Sequence, residues 1–229
     1  MRKLLLLLTI LFGLSFSDAA AIRAQEIQFG IDFATIIPQG GFKENINSNG
    51  YGIGLQFAVS LGPGPFHLGA DAGFVTYGSE TRREPLIPTV PEVRVDVKTT
   101  NNIGLFHLLL RLQPRSGAVR PYADVLVGFK YLFTETTIED DLDDVPLASE
   151  TNFSDFTFSY GFGGGVQIRL ARLGSAEVAL DGKVRYLRGS KAEYLRRGSI
   201  RSEGGVIFFD VLSSRTDVVA AQFGVTFRF

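Results

Sequence analysis

The feature that most narrows the folds open to this chain is an alternation of period two that recurs along it. The segments 26–37, 50–61, 66–78, 95–113, 121–133, 154–171, 176–189 and 218–229 each set an apolar row against a polar or small one. In the last of them Val219, Ala221, Phe223, Val225, Phe227 and Phe229 alternate with Ala220, Gln222, Gly224, Thr226 and Arg228. Successive side chains of a strand point to opposite faces, so each segment predicts a strand with one apolar face. Beyond the N-terminal leader no stretch repeats apolar residues at helical spacing, so no further helix is predicted. The fourth segment is the least regular, because Leu105 and Leu109 interrupt the row that His107 and Arg111 continue.

The connections alternate in length as well. GPGP (62–65), PRSG (114–117) and LGS (173–175) read as tight turns, whereas 38–49, 79–94, 134–152 and 190–214 are long and mostly polar. Short and long connections taken in turn around an even number of strands predict a closed up-and-down barrel, with tight turns at one end and long loops at the other. A water-soluble sandwich has no reason to segregate its connections this way.

Alternation alone does not say which row faces outward, since a soluble barrel keeps an apolar interior and a charged exterior. Three features choose. The apolar row is rich in Phe and Tyr near strand ends, the polar row is rich in glycine as a narrow lumen requires, and Gly161, Gly163 and Gly165 make a poor water-facing surface. The expectation is therefore an inverted barrel, apolar toward lipid and polar within. Eight strands leave an interior only wide enough for side chains to fill. The charges expected there are Asp32, Asp71, Asp124, Glu177 and Asp181 against Lys130, Arg169, Lys183, Arg185 and Arg228. Buried charges must pair, so a plugging ladder of ion pairs is predicted, with the basic residues of the seventh strand facing Asp124, Asp32 or Asp71.

The leader supports export. Arg2 and Lys3 precede an apolar and small-residue run over 4–16, too short for the roughly 20 residues that span a bilayer. Residues 1–24 are thus read as a signal peptide, cleaved after Ala21 or Ala24, and 25–229 as one barrel domain. The chain has no cysteine, which excludes disulfides, thiol catalysis and an acylated cysteine anchor. Its net charge of −1 gives no long-range attraction to nucleic acid.

From 26 to 229 the chain resembles the small eight-stranded outer-membrane barrels of the OmpA transmembrane-domain and OmpX type. The terminal strand carries the resemblance best, with RPYADVLVGFKY (120–131) and FSYGFGGGVQIRL (158–170) beside it. It implies an all-β, antiparallel transmembrane barrel in the cell outer membrane. It also implies that Phe223, Val225, Phe227 and Phe229 form the signal read by the barrel-assembly machinery. No wall-tethering role is carried over, because nothing after Phe229 resembles a peptidoglycan-binding domain.

Candidate sites are few. GFGGG (161–165) lacks the lysine, hydroxyl and following helix of a phosphate loop, so lumen-facing glycine is the better account. The acidic run 139–150 reads as a solvated external loop, with an adventitious divalent ion as the alternative. The basic stretch 191–205 places Arg196, Arg197 and Arg201 where lipopolysaccharide phosphates are their expected partners. His67 and His107, the two histidines, fall toward the short-turn end and are expected to hydrogen-bond in the lumen. No catalytic residue, metal or cofactor is assigned. A structural or surface-interaction barrel acting through its external loops on an unidentified ligand is the expected function. A small-solute channel and a lipid-modifying enzyme are the alternatives, because one barrel hosts all three.

Overall fold

The computed structural model describes residues 26–87, 90–139, 146–203 and 206–229. The expected signal peptide and residues 140–145 of the acidic run lie outside the described residues. In chain order the elements are β1 (Ile27–Pro38), α1 (Gly40–Ile46), β2 (Gly50–Ser60), β3 (Phe66–Ile87), β4 (Val90–Leu112), β5 (Val119–Glu139), β6 (Pro146–Leu173) and β7 (Ala176–Gly189). Four short strands follow, β8 (Lys191–Tyr194), β9 (Ile200–Glu203), β10 (Val206–Phe209) and β11 (Leu212–Arg215), and then β12 (Val218–Arg228). Eight of these form a closed antiparallel barrel in the order β1-β12-β7-β6-β5-β4-β3-β2.

Closure answers to the terminal alternation. β1 runs beside β12 with Phe29 opposite Phe227 and Phe33 opposite Phe223, and beside β2 on its other edge. Ile27 N donates to Phe229 O at 3.2 Å, and Phe229 N donates to Ile27 O at 2.9 Å. A closed ladder leaves no barrel strand with an unpaired edge, the condition that hydrocarbon imposes on any β structure within it. At the short-turn end the chain reverses through Gly62 and Gly174, whose φ values of +65° and +63° suit a residue without a side chain.

The two rows separate as the sequence predicts. Along β1, Ile27, Phe29, Ile31 and Phe33 are exposed while Gln28, Asp32 and Ala34 are buried. The same holds around the wall: Leu55, Phe74, Leu108, Val125, Phe162 and Phe223 face outward, and Asp71, Arg111, Asp124, Lys130, Lys183 and Arg185 face inward. Outward rings meet across strands, as in Phe106–Phe129 (centroids 5.2 Å apart) and Tyr131–Phe156 (4.4 Å). An apolar belt on this scale is insoluble in water and matched to lipid.

Three expectations need correction. Among the described residues the stretches 79–94 and 134–152 are strand rather than loop: β3 stays paired with β4 and β5 with β6, in strands of 21 to 28 residues. A transmembrane strand needs about 9–11, so this half of the wall rises well beyond the belt. There no hydrocarbon constrains the outer face, apolar alternation is not required, and Thr-rich polar sequence keeps the ladder through pairs such as Thr99 opposite Thr136. Likewise 190–214 folds into two nested hairpins, β8 with β11 and β9 with β10.

The second correction is α1, where no helix is predicted. Its seven residues are too few to display a helical period, and it is held by Phe42, which is fully buried between Tyr77 and Tyr194. Third, the lumen is not polar throughout. Leu105 and Leu109 blur the fourth segment because they point inward, joining Leu126, Leu132, Ile103 and Leu187 in a buried apolar tier.

Candidate functional site

The site worth building is the lumen, since nearly all the charged residues of the belt region converge there. Its middle is organised by two arginines. Arg111 donates from Nε and Nη2 to both oxygens of Asp124, at 2.8 and 2.9 Å, and Nη2 also reaches Gln56 Oε1 at 3.0 Å. Arg185 donates to Asp124 Oδ2 at 2.8 Å, to Asp71 Oδ2 at 2.7 Å, to Gln222 at 3.1 Å and to Gln56 at 3.0 Å. Lys183 donates to Asp32 at 2.5 Å and to Gln56 at 3.0 Å, and lies 3.8 Å from Asp181. The basic residues of β7 therefore meet Asp32, Asp71 and Asp124, the three carboxylates expected opposite them. A planar guanidinium suits this geometry because it offers a fork to one carboxylate while keeping further donors for others.

Room for these long side chains comes from the glycine run. A Cβ at Gly163 would lie 2.6 Å from Arg185 Cγ, and one at Gly165 would lie 2.6 Å from the Tyr122 hydroxyl. GFGGG thus belongs to β6 and faces side chains rather than a nucleotide. Tyr122 uses the space twice. Its hydroxyl donates to Asp181 Oδ1 at 2.6 Å, and its ring lies 3.7 Å beneath the Arg111 guanidinium. Both contacts fix the ring, one by charge-assisted hydrogen bonding and one by cation–π attraction.

Toward the short-turn end the network becomes neutral, then charged again. Gln28 donates to Gln113 and Gln113 to Gln167, both at 2.9 Å, while Thr226 donates to Asp181 at 3.1 Å. Beyond them the mouth carries Arg228 on Glu26 and Arg120 on Glu177, both in direct contact. Arg169 and Arg172 approach Glu177 at 3.4 and 3.6 Å. Arg169, Glu177 and Arg228, expected among the charges of the lumen, lie in this cluster at its mouth. Burial pushes the Glu26 carboxyl up, but the neighbouring His67, Arg228 and Gln28 outweigh it and hold it at about 2.

Toward the long-loop end Lys130 departs from expectation. Its buried ammonium donates to the main-chain carbonyls of Leu187 (3.1 Å) and Thr216 (2.5 Å), not to a carboxylate. It stands where the charged tier gives way to the apolar one, so strand-end carbonyls rather than acids are within its reach. Above it the apolar tier is capped by Phe42 of α1. Tyr194 OH, which pairs with Ser214 Oγ at 2.6 Å and accepts from Asn45 at 2.8 Å, ties that cap to β11. Tyr77 OH donates to Leu195 O at 2.9 Å.

The remaining candidates are placed as follows. His67 is buried near the mouth, 3.5 Å from Glu26, and His107 lies deeper, sharing a hydrogen bond with Ser159 at 2.9 Å. Arg196 donates to Asn45 O at 3.3 Å and Arg197 borders the groove beside Tyr51. Arg201 is held by both oxygens of Asp210 (2.9 and 2.8 Å), an acid the sequence reading leaves out of account. Phe223 and Phe229 face outward along β12, in the row that Val225 and Phe227 continue. Arg120 is the lumen residue that sequence reasoning misses, since it lies just outside the predicted strand 121–133. Arg111 and Tyr122 fall on the polar row of their segments but are left out of the predicted ladder.

No protein-family model matches the chain, and no curated protein matches it. Solved structures are similar to it at low identity. Neisserial surface protein A shares 12% identity over 89% of this chain and 95% of its own, with a TM-score of 0.41. A major outer membrane protein from Thermus thermophilus shares 13% over 89% and 99%, with a TM-score of 0.43. Ail, the attachment invasion locus protein of Yersinia pestis, solved with the heparin analogue sucrose octasulfate, shares 15% over 90% and 97%, with a TM-score of 0.35.

Proposed function

We propose that this chain is an outer-membrane barrel, exported by its leader, whose sealed lumen makes it a rigid mount for an interaction surface at the long-loop end. One observation carries the reading. The arginine–carboxylate network crosses the middle of the interior, and Phe42 with its apolar tier lies beyond it. A pore needs a continuous wet path, and a barrel of this strand number is filled by its own side chains. The rising hairpins and the β8–β11 insertion then form the part available to partners. Its distal hairpin exposes Phe208 and Phe209, with Val211 beside them and Arg196 and Arg197 nearby in sequence, a combination suited to a surface bearing both acyl chains and phosphates, such as lipopolysaccharide.

The role is non-catalytic on this reading. His107 and Ser159 are both buried, and the nearest ladder acid, Asp71, is engaged by Arg185. Phe223, Val225, Phe227 and Phe229 serve assembly, presenting an aromatic row to the barrel-assembly machinery.

Planar-bilayer recording tests the sealed lumen. The wild type is expected to give no steady conductance. A large, stable wild-type channel refutes the reading and favours the small-solute channel. Binding to lipopolysaccharide micelles tests the surface: replacing Phe208 and Phe209 by Ser, together with Arg196 and Arg197 by Gln, should weaken it, and an unchanged affinity removes that ligand.

A further inference from the structure

The central network of the lumen sets Arg111, Lys183 and Arg185 against Asp32, Asp71, Asp124 and Asp181, whereas the short-turn mouth has more cations than side-chain carboxylates. Arg115, Arg120, Arg169, Arg172 and Arg228 line one concave cavity of about 340 Å³, and the acidic side chains lining it are Glu26 and Glu177. The two glutamates are already engaged, Glu26 by Arg228 and Glu177 by Arg120, with Arg169 and Arg172 behind. So Arg120, Arg169, Arg172 and Arg228 share two side-chain carboxylates, at the closed end of a low-dielectric wall that concentrates their field.

A second observation points to a ligand. Arg120 and Arg228 are 1% and 7% exposed; Arg120 Nε has no hydrogen-bond partner among the described residues, and Arg228 Nη1 has only Glu177, 3.9 Å away. Buried donors are costly to leave unmade, and those of a charged group most of all. Both residues line the cavity. Their backing is rigid: Arg228 Nη2 also donates to Arg115 O at 2.6 Å, and Arg115 Nη2 donates to Ser60 Oγ at 2.9 Å. Pre-oriented guanidinium forks match the tetrahedral oxygens of phosphate. The volume lies at the low end of small-molecule pockets and exceeds what a lone phosphate fills.

We propose that the short-turn mouth is a binding site for a phosphorylated anion carrying at least two negative charges, held by Arg120, Arg169, Arg172 and Arg228. On the topology proposed above this mouth faces the periplasm. The anion is then either a soluble phosphorylated compound of that compartment or the headgroup of an anionic phospholipid of the inner leaflet.

Inorganic pyrophosphate, titrated calorimetrically into the full barrel in phosphatidylcholine nanodiscs, is the probe. Saturable binding that weakens steeply with added salt is expected, since exposed charges at the rim are screened. Arg169→Gln combined with Arg172→Gln should weaken it roughly tenfold, a change that the partial exposure of both residues lets the fold tolerate. Heat-modifiable gel mobility checks that the variant is folded. Repeating the titration in phosphatidylglycerol nanodiscs distinguishes the sources. Loss of pyrophosphate binding there assigns the site to the lipid headgroup, and retention assigns it to a soluble anion. Absence of binding at millimolar pyrophosphate in phosphatidylcholine, or equal affinity in the folded double variant, overturns the proposal.

Discussion

Replacing Asp124 by Asn removes one charge and almost no volume, and the structure says what that charge does. Asp124 receives two hydrogen bonds from Arg111 and one from Arg185, and its side chain is wholly buried. An amide presents one acceptor oxygen and an NH₂ group, which points a donor at a guanidinium. Arg111 then has no carboxylate, and Arg185 keeps only Asp71. Breaking a buried pair by removing one partner costs about 3–5 kcal/mol, because the other charge is left uncompensated. The expected loss for Asp124→Asn is therefore about 4 kcal/mol. The chain has no tryptophan, so urea unfolding from lipid vesicles is best followed by far-UV circular dichroism and heat-modifiable mobility. A second variant isolates the cause. Asp124→Leu with Arg111→Met exchanges the pair for apolar groups of similar length, which is often nearly neutral, and should recover most of the loss. If Asp124→Asn lies within about 1 kcal/mol of the wild type, or the double variant is less stable than the single, the network does not hold the barrel as argued.

Other outcomes follow from the same geometry. Gly165→Ala puts a methyl group 2.6 Å from the Tyr122 hydroxyl, from its Cζ and from the Gly182 carbonyl oxygen, and should cost about 1–3 kcal/mol, read in the same urea titration. Phe129→Arg, in the lipid-facing belt, should cost about 2–4 kcal/mol, whereas arginine outside the belt at Thr137 should cost little. Glu26 is held at about 2, below its ordinary 4.5, so it stabilises the fold fully above about pH 4.5 and the contribution is lost as pH falls through about 2. The wild type should therefore lose stability over that acid window, and Glu26→Gln should flatten this part of the profile.

What could be read from the sequence follows from what each region is dissolved in. Inside the belt one face of every strand meets hydrocarbon and the other a narrow lumen, so Phe29 and Asp32, or Val184 and Arg185, announce their faces by chemistry alone. The pairing of Lys183 and Arg185 with Asp32, Asp71 and Asp124 was legible as a set, because β7 supplies the long cations and the early strands the short acids. The individual bonds were not, since they depend on register and on Tyr122 occupying the space beside Gly165. Beyond the belt the hydrocarbon constraint vanishes, and with it the signal. The Thr-rich continuations of β3–β6 look like loops although they are paired strands, and α1 is too short to show a period. Arg111 falls on the polar row with His107, but its bonds were not legible, because its neighbours Leu109 and Leu112 look alike in sequence and point to opposite sides of the wall.

The central network draws on strands that lie far apart in the chain, and this has a consequence for how the barrel is made. Asp32 on β1 waits for Lys183 on β7, Asp71 on β3 for Arg185, and Glu26 beside β1 for Arg228 on β12. Until the sheet curls shut, those acids and bases stand on one face of an open ribbon with no counter-ion across from them. Such a ribbon cannot slide into hydrocarbon without carrying bare charge with it. Insertion and curling are thereby coupled, and half-built intermediates are held at the water interface. The buried charges act as a kinetic checkpoint that admits the chain to the membrane only when the first and last strands have met.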